Sequence, residues 1–111
     1  MKEYHSSNPD RILSLGNGKK RVYYNTVQIS HDNEISYESD YVDVDGEATY
    51  DSVTSALIRQ RYSADQSEAI LSNYADTLAG ISTDTDVRLQ EFSEFSAYRS
   101  ECKRIAKEVL C

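Results

Sequence analysis

The sequence has few of the residues that cross-link a chain or interrupt its secondary structure, and it lacks tryptophan. It contains no tryptophan, one proline, two cysteines and four glycines among 111 residues. So few cysteines exclude a small domain held by disulfides, and so little proline and glycine excludes collagen-like and low-complexity chains. No run of about 18 apolar residues occurs, and the first residues lack the apolar centre of a secretory signal. The sequence therefore predicts no membrane partner and a cytoplasmic location.

Large side chains for a core are nevertheless present. Hydrophobic residues make up 39% of the chain and charged residues 28%, with nine tyrosines and two phenylalanines. A chain of this length and composition is typical of one soluble domain. Residues 1–10 show no periodicity and contain the only proline, Pro9. We therefore predict a flexible leader over residues 1–10 and a single domain over residues 11–111.

Positive charge is missing from the middle of the chain. Residues 22–58 contain no lysine or arginine and eight carboxylates. Such a region repels phosphate groups, so we predict no nucleic-acid partner. It suits either solubility or a basic protein partner. The candidate acidic face consists of Glu38, Asp40, Asp43 and Asp45. We expect these four side chains at solvated strand positions, with Asp43 close enough to contact Arg21.

Alternating residues predict strands in the first half of the chain. Gly16 and Gly18 flank Asn17 and suit a tight hairpin turn, because glycine and asparagine tolerate positive φ. The predicted strands cover residues 11–15, 19–29 and 35–44.

The second loop is predicted at residues 30–34, and it sets the pairing of the two long strands. The predicted pairs are Ile29 with Ile35, Val27 with Tyr37 and Tyr23 with Tyr41. These six side chains then share one face, whereas the opposite face is mostly polar. Val22, Val42 and Val44 break this alternation, which indicates a bulge or a second element covering that end of the hairpin.

In the second half of the chain, apolar residues recur at three and four positions, as in amphipathic helices. Thr49 and Ser63 suit helix N-caps, and Gln66 completes a capping box with Ser63. Gly80 suits the end of the second helix, and residues 83–86 supply N-cap candidates for the third. The predicted helices cover residues 50–61, 64–79 and 84–109. The fold class is α+β: an N-terminal antiparallel three-stranded β-meander followed by three C-terminal α-helices, which pack on one face of the sheet.

Both cysteines fall in the predicted third helix. In a helix Cys102 and Cys111 are about 13 Å apart, too far for a disulfide. We predict a reducing compartment, with Cys102 as a small core residue and Cys111 as a terminal thiol.

Two strings resemble binding loops but fail on spacing. Residues 43–47 fail as a calcium loop, because Tyr41 and Ser52 would stand where the first and last carboxylates belong. Residues 16–21 lack the spacing of a phosphate-binding loop and lead into a strand instead of a helix.

The candidate catalytic side chains stand alone. His5 lies in the predicted leader, and His31 lies in a hairpin loop beside Asp32 without a catalytic spacing. Nothing around Cys102 indicates a lowered thiol pKa. We therefore predict no enzymatic activity, no cofactor and no metal.

The tyrosines allow two interpretations. A tyrosine row on a sheet can stack single-stranded bases, but the carboxylates on the same hairpin favour packing against the helices. Apolar surface on the third helix beyond the reach of the sheet would serve self-association or a partner protein. The candidate interaction surface is Phe92, Phe95 and Tyr98.

Four segments resemble a group of small uncharacterised bacterial, phage and prophage proteins. They read GNGKKRVYYN, YVDVDGE, SALIRQRYS and FSAYR, at residues 16–25, 41–47, 55–63 and 95–99. The resemblance spans about residues 11–109. It implies a mobile-element or virion setting, such as tail assembly, with a virion-associated location.

Two classes of function follow. The favoured one is a non-enzymatic interaction or assembly protein, phage- or prophage-associated, that uses apolar helix surface. The alternative is an acidic decoy or inhibitor that binds a basic protein partner through residues 34–51. Salt separates them, because screening weakens the second kind of binding and leaves the first.

Overall fold

A computed structural model describes residues 1–81 and 84–110. Within them the chain forms an N-terminal sheet followed by helices, so the predicted α+β class is confirmed. The strands are β1 Lys2–His5, β2 Ile12–Gly16, β3 Lys19–His31 and β4 Glu34–Asp45. The helices are α1 Tyr50–Arg59, α2 Ala64–Leu78 and α3 Thr85–Leu110.

The sheet has four strands in the order β1-β4-β3-β2, and every neighbouring pair is antiparallel. The prediction of three strands is therefore wrong by one. The additional strand, β1, comes from the segment predicted as a flexible leader, and it pairs Lys2 with Asp40 and His5 with Tyr37. Four residues are too few for an alternating pattern to show in the sequence.

The turn between β3 and β4 is shorter than predicted. Asp32 and Asn33 adopt left-handed φ values of 49° and 67°, so His31 pairs with Glu34 across a two-residue turn in place of a loop over residues 30–34. The pairing near the turn is consequently shifted by one residue from the prediction. Ile35 faces Ser30 instead of the expected isoleucine.

A bulge restores the predicted pairing farther along the hairpin. The register of β3 against β4 shifts between Tyr24 and Val27, where Asn25 has a φ of 52°. Beyond the bulge Tyr23 faces Tyr41, as predicted. One additional residue in one strand moves all later side chains to the other face, which explains why only part of the predicted register holds.

The core lies on the face of the sheet that the three valines occupy. Val22, Val42 and Val44 are buried together with residues of α1 and α3. Helices therefore cover that end of the hairpin, one of the two explanations that the broken alternation left open. The predicted apolar face is wrong, because Val27 and Ile35 are exposed at the far end of the hairpin.

The first two helices begin at the residues that the sequence indicated. The Thr49 hydroxyl accepts a hydrogen bond from the Ser52 backbone N–H at 3.1 Å, and the Ser63 hydroxyl accepts one from the Gln66 N–H at 3.0 Å. The Gln66 side chain accepts in return from the Ser63 N–H at 2.8 Å, which completes the predicted capping box. Thr83, an N-cap candidate for α3, lies outside the described residues.

Only part of the helical layer rests on the sheet. Helix α1 and the C-terminal half of α3 pack on β3 and β4, whereas α2 packs against α3. The prediction that all three helices pack on the sheet is therefore wrong for α2, which packs on α3 instead. The radius of gyration is 17.8 Å, compared with about 13 Å for a compact domain of this length. The molecule is elongated as a result.

Thr54 on α1 is buried, and its hydroxyl has no hydrogen-bond partner in the part of the chain that the structure describes. We expect Thr54→Val to raise the free energy of unfolding by about 1 kcal/mol, because the change removes an unsatisfied hydroxyl and keeps the shape. Urea denaturation measures the change. Thr54→Ser keeps the hydroxyl and should not stabilise the protein, and a Val variant less stable than the original chain would contradict the expectation.

Candidate functional site

A polar cluster occupies the face of the sheet opposite the core valines. It joins side chains of β1, β3 and β4, and Tyr23 and Ser39 within it are buried. We define the polar cluster by six residues: Glu3, His5, Arg21, Tyr23, Ser39 and Asp43. Titratable groups gathered on an uncovered sheet face are the first place to look for chemistry.

Arg21 is the centre of this cluster. Its Nε and Nη2 donate hydrogen bonds to the two carboxylate oxygens of Asp43 at 2.8 and 3.0 Å, so the expected contact is confirmed. Its Nη1 donates to Glu3 Oε1 at 3.1 Å, and the guanidinium lies 4.2 Å from the centre of the Tyr41 ring. The hydrogen bond from Arg21 lowers the pKa of Asp43. Arg21 therefore connects β3 with β4 and with β1 through hydrogen bonds to two carboxylates.

His5 links Ser39 to a carboxylate. Its Nε2 is hydrogen-bonded to Ser39 Oγ at 2.9 Å, and its Nδ1 lies 3.7 Å from Glu3 Oε2. Serine, histidine and carboxylate in this order are the groups of a hydrolase triad. Ser39, however, is only 1% exposed, and the Glu3 carboxylate already accepts from Arg21 and from the Tyr23 hydroxyl. The Ser39 hydroxyl is therefore inaccessible to a substrate. The geometry fits a hydrogen-bonded link between β1 and β4.

The carboxylates of the candidate acidic face are partnered by cations of the chain itself. Lys2 Nζ lies 3.3 Å from Glu38 and 3.0 Å from Asp40, and Lys19 Nζ lies 3.9 Å from Asp45. Asp43 holds Arg21. None of the four carboxylates is buried, but the side chains of Glu38 and Asp40 are only 21% and 26% exposed, compared with 90% for Asp45. Within residues 1–81 and 84–110 no group of acidic, histidine or cysteine side chains is arranged to hold a metal ion.

These four carboxylates do not share one face. Glu38 and Asp40 alternate with Ser39 and Tyr41 along β4, so they lie on the face that carries the core valines. Asp43 and Asp45 lie on the opposite face. The predicted acidic face is thus divided between the two sides of the sheet, and Lys2, Arg21 and Lys19 offset its charge.

The three aromatic residues predicted as an interaction surface have internal partners. Phe95 is 2% exposed, and its ring centre lies 5.0 Å from that of Tyr62. The Tyr98 hydroxyl donates to the Leu57 carbonyl at 2.8 Å, and the Phe92 ring stacks on Tyr74 at 3.7 Å. The structure therefore does not bring these three residues together as an exposed patch.

Exposed apolar side chains lie instead on a neighbouring part of the helices. We define the helical arm as residues 64–81 and 84–94, which include α2 and the first turns of α3. Leu78 and Ile81 are 69% and 71% exposed. The full exposed set is Leu71, Leu78, Ile81, Val87 and Leu89.

The sequence contained a signal for the helical arm. Ile81 and Val87 are apolar but fall outside the apolar stripes of the predicted helices. The predicted packing therefore gives these two side chains no buried position. Charge marks the same segment, because residues 64–94 contain seven carboxylates and one cation, Arg88. The arm thus combines exposed apolar side chains with a formal charge of −6.

A cleft of about 430 Å³ lies where the β1–β2 connection meets the bulge of β3 and the end of α3. Its lining is mainly polar and includes Arg11, Asn25, Gln28 and Glu108. Arg11 Nη1 donates to the Glu108 carbonyl at 2.8 Å. Arg11 therefore holds the end of α3 in place.

The remaining residues considered for catalysis lie apart from one another, one on a hairpin turn and one in the core. His31 Nε2 lies 3.3 Å from Asp32 on a largely exposed turn. Cys102 is buried in the core, as predicted, and burial raises the pKa of its thiol. Cys111 lies outside the described residues.

Comparisons with known protein families, with curated proteins and with solved structures found no match to this chain. No helix within the described residues has the length and apolar character needed to cross a membrane.

Proposed function

We propose that this chain is a non-enzymatic assembly protein that binds a protein partner through the helical arm. The observation that carries the proposal is the exposure of five aliphatic side chains along the helical arm, four of them on α2 and α3 and Ile81 in the connection between these helices. In a monomeric protein, large contiguous apolar surfaces mark sites of interaction. The resemblance of the sequence to phage and prophage proteins favours a virion setting, such as tail assembly.

The charge of the arm defines the chemistry of this partner. Residues 64–94 carry a formal charge of −6, so two arms brought together would repel each other. A partner with an apolar stripe flanked by lysine or arginine would instead gain both contact area and complementary charge. The partner of the arm is therefore an amphipathic basic segment.

The acidic decoy has less support than the arm. Lys2, Lys19 and Arg21 lie within 4 Å of the four strand carboxylates, and these carboxylates occupy both faces of the sheet. A basic partner would have to displace the chain's own cations to reach them. Exposed ion pairs of this kind contribute only about 0–1 kcal/mol each, which makes the sheet a weak electrostatic site.

Two helical peptides with the same leucine stripe test the proposal, one flanked by lysines and one by glutamates. Fluorescence anisotropy measures their affinity for the full chain. We expect saturable binding of the lysine peptide, weaker binding of the glutamate peptide, and a loss of about tenfold or more in the double variant Leu78→Ser and Ile81→Ser.

The control is Ile35→Ser, which removes an equally apolar, exposed side chain from the sheet. It should leave the affinity for the lysine peptide unchanged. Unchanged binding by the arm double variant would refute the arm as the site. If that binding vanishes at high salt and is also lost in the double variant Glu38→Gln and Asp45→Asn, the acidic sheet region is the binding surface and the decoy function replaces assembly.

A further inference from the structure

The outer end of the β3–β4 hairpin is a ribbon of two strands with no neighbouring strand in the described part of the chain, although Asn25 and Gln28 at its base line the cleft that Arg11 and Glu108 share. The pairing of β2 with β3 ends at Val22, and one further hydrogen bond joins the Tyr23 N–H to the Arg11 carbonyl at 2.8 Å. The pairing of β1 with β4 ends at Tyr37. Residues 25–36 thus extend past both outer strands. An isolated two-stranded ribbon is at best marginally stable in water, and a third strand stabilises it.

The open edge of β3 presents a row of backbone groups. Because His31 and Glu34 close a two-residue turn, the backbone groups of Val27 and Ile29 point toward β4. Those of the alternate residues point outward from the sheet, and they have no backbone partner in the described part of the chain. These outward residues are Thr26, Gln28 and Ser30.

Beyond the bulge, this edge lacks the features that protect edge strands. Residues 25–30 read NTVQIS and contain no charge and no proline in a chain with a net charge of −7. Natural proteins protect such edges with lysine, proline or a bulge. The bulge of β3 lies at the start of this segment and leaves the residues beyond it regular. Val27, at 54% exposure, adds apolar surface beside the open backbone.

We propose that β3 pairs antiparallel with β3 of a second copy of this chain, about a twofold axis at Gln28. The register places Thr26 opposite Ser30 of the second copy and Val27 opposite Ile29. It forms about six backbone hydrogen bonds, because each of three outward pairs exchanges two. The two ribbons become one four-stranded sheet.

The second copy fits this edge for two reasons. Both strands are uncharged over the paired segment, so the acidic character of the chain places no like charges opposite each other there. The valine and isoleucine of both copies fall on the same face and cover one another. The β4 edge is a poorer site, because between its turn and the end of β1 only Ile35 has outward backbone groups.

Sedimentation velocity of the full chain over a range of concentrations tests this pairing. We expect a concentration-dependent dimer that Val27→Lys weakens by about tenfold or more, because a charge then lies in the paired segment. Val27 faces Glu38 within the hairpin, so the new lysine gains a carboxylate neighbour and the fold is retained. Ile35→Lys, at a similarly exposed position on the other edge, should leave the dimer intact.

Cross-linking tests the register in a Cys111→Ser background. In the proposed register the two Gln28 Cα atoms are about 5.5 Å apart, within disulfide range, so Gln28→Cys should form a covalent dimer under mild oxidation. Ile35→Cys should not. Each of three results would overturn the proposal: a monomer at every concentration, equal cross-linking of both variants, or a dimer lost only in the arm double variant Leu78→Ser and Ile81→Ser.

Discussion

Phe95→Ala should lower the free energy of unfolding by about 3–5 kcal/mol, the usual loss when a buried phenylalanine is truncated. Phe95 is among the largest fully buried side chains of the protein. Its ring contacts Tyr62, which precedes α2, and Arg99 lies 5.5 Å above it. The ring therefore fills the space where the helical arm joins the core. Urea denaturation followed by circular dichroism measures the loss.

Phe92→Ala provides the matched control on the same helix. Phe92 is half-buried and stacks on Tyr74 within the arm, so its truncation should cost about 1–2 kcal/mol. Phe95→Leu keeps most of the buried volume and should fall between the two. Equal losses for Phe92→Ala and Phe95→Ala would contradict the position of Phe95 at the junction.

The protein should lose stability between about pH 10 and pH 12. Burial raises the pKa of both Tyr24 and Tyr98 to about 12, and it also raises the pKa of Tyr23. In the unfolded chain these phenols ionise near pH 10. The stabilisation is therefore fully present below pH 10 and is lost as the pH rises through the folded pKa values.

We expect a total loss of about 2–4 kcal/mol over this interval, because the hydroxyls of Tyr24 and Tyr98 are partly solvated and the effect is screened. Urea denaturation at a series of pH values measures it, and ultraviolet absorbance of the phenolate reports ionisation. A chain with Tyr24→Phe and Tyr98→Phe should show a smaller loss, since phenylalanine does not ionise. Parallel pH profiles for the two proteins would contradict the assignment to these tyrosines.

Local interactions explain what could be predicted of the site. Arg21 and Asp43 were expected to meet because both stand on neighbouring strands of one hairpin, and their bidentate contact follows. The rest of the polar cluster depends on β1, whose residues were assigned to a flexible leader. Without that strand, Glu3 and His5 have no position, so the links from Arg21 to Glu3 and from His5 to Ser39 could not be inferred.

By itself, the sequence determined the features that depend on neighbours along the chain. The α+β order, the caps at Thr49 and Ser63 and the burial of Cys102 follow from local hydrogen bonding and from helical periodicity. Each of these is decided by residues within a few positions of one another. The hairpin turn at Gly16 and Gly18, both with positive φ, belongs to the same class.

Only the tertiary structure decided which faces are buried and which are left open. The helices pack on the face of Val22, Val42 and Val44 and leave Tyr23 and Tyr41 on the other face, although the predicted pairing of these two tyrosines is correct. Two left-handed residues after His31 shift the register near the turn, and the bulge at Asn25 places Val27 on the face opposite Tyr23. A single-residue shift reverses the two faces of a strand at little local cost, and the sequence pattern does not resolve it. Tertiary packing also decided the position of α2. Its apolar stripe fits a sheet or a helix equally well, and the chain places it on α3, which leaves the helical arm exposed.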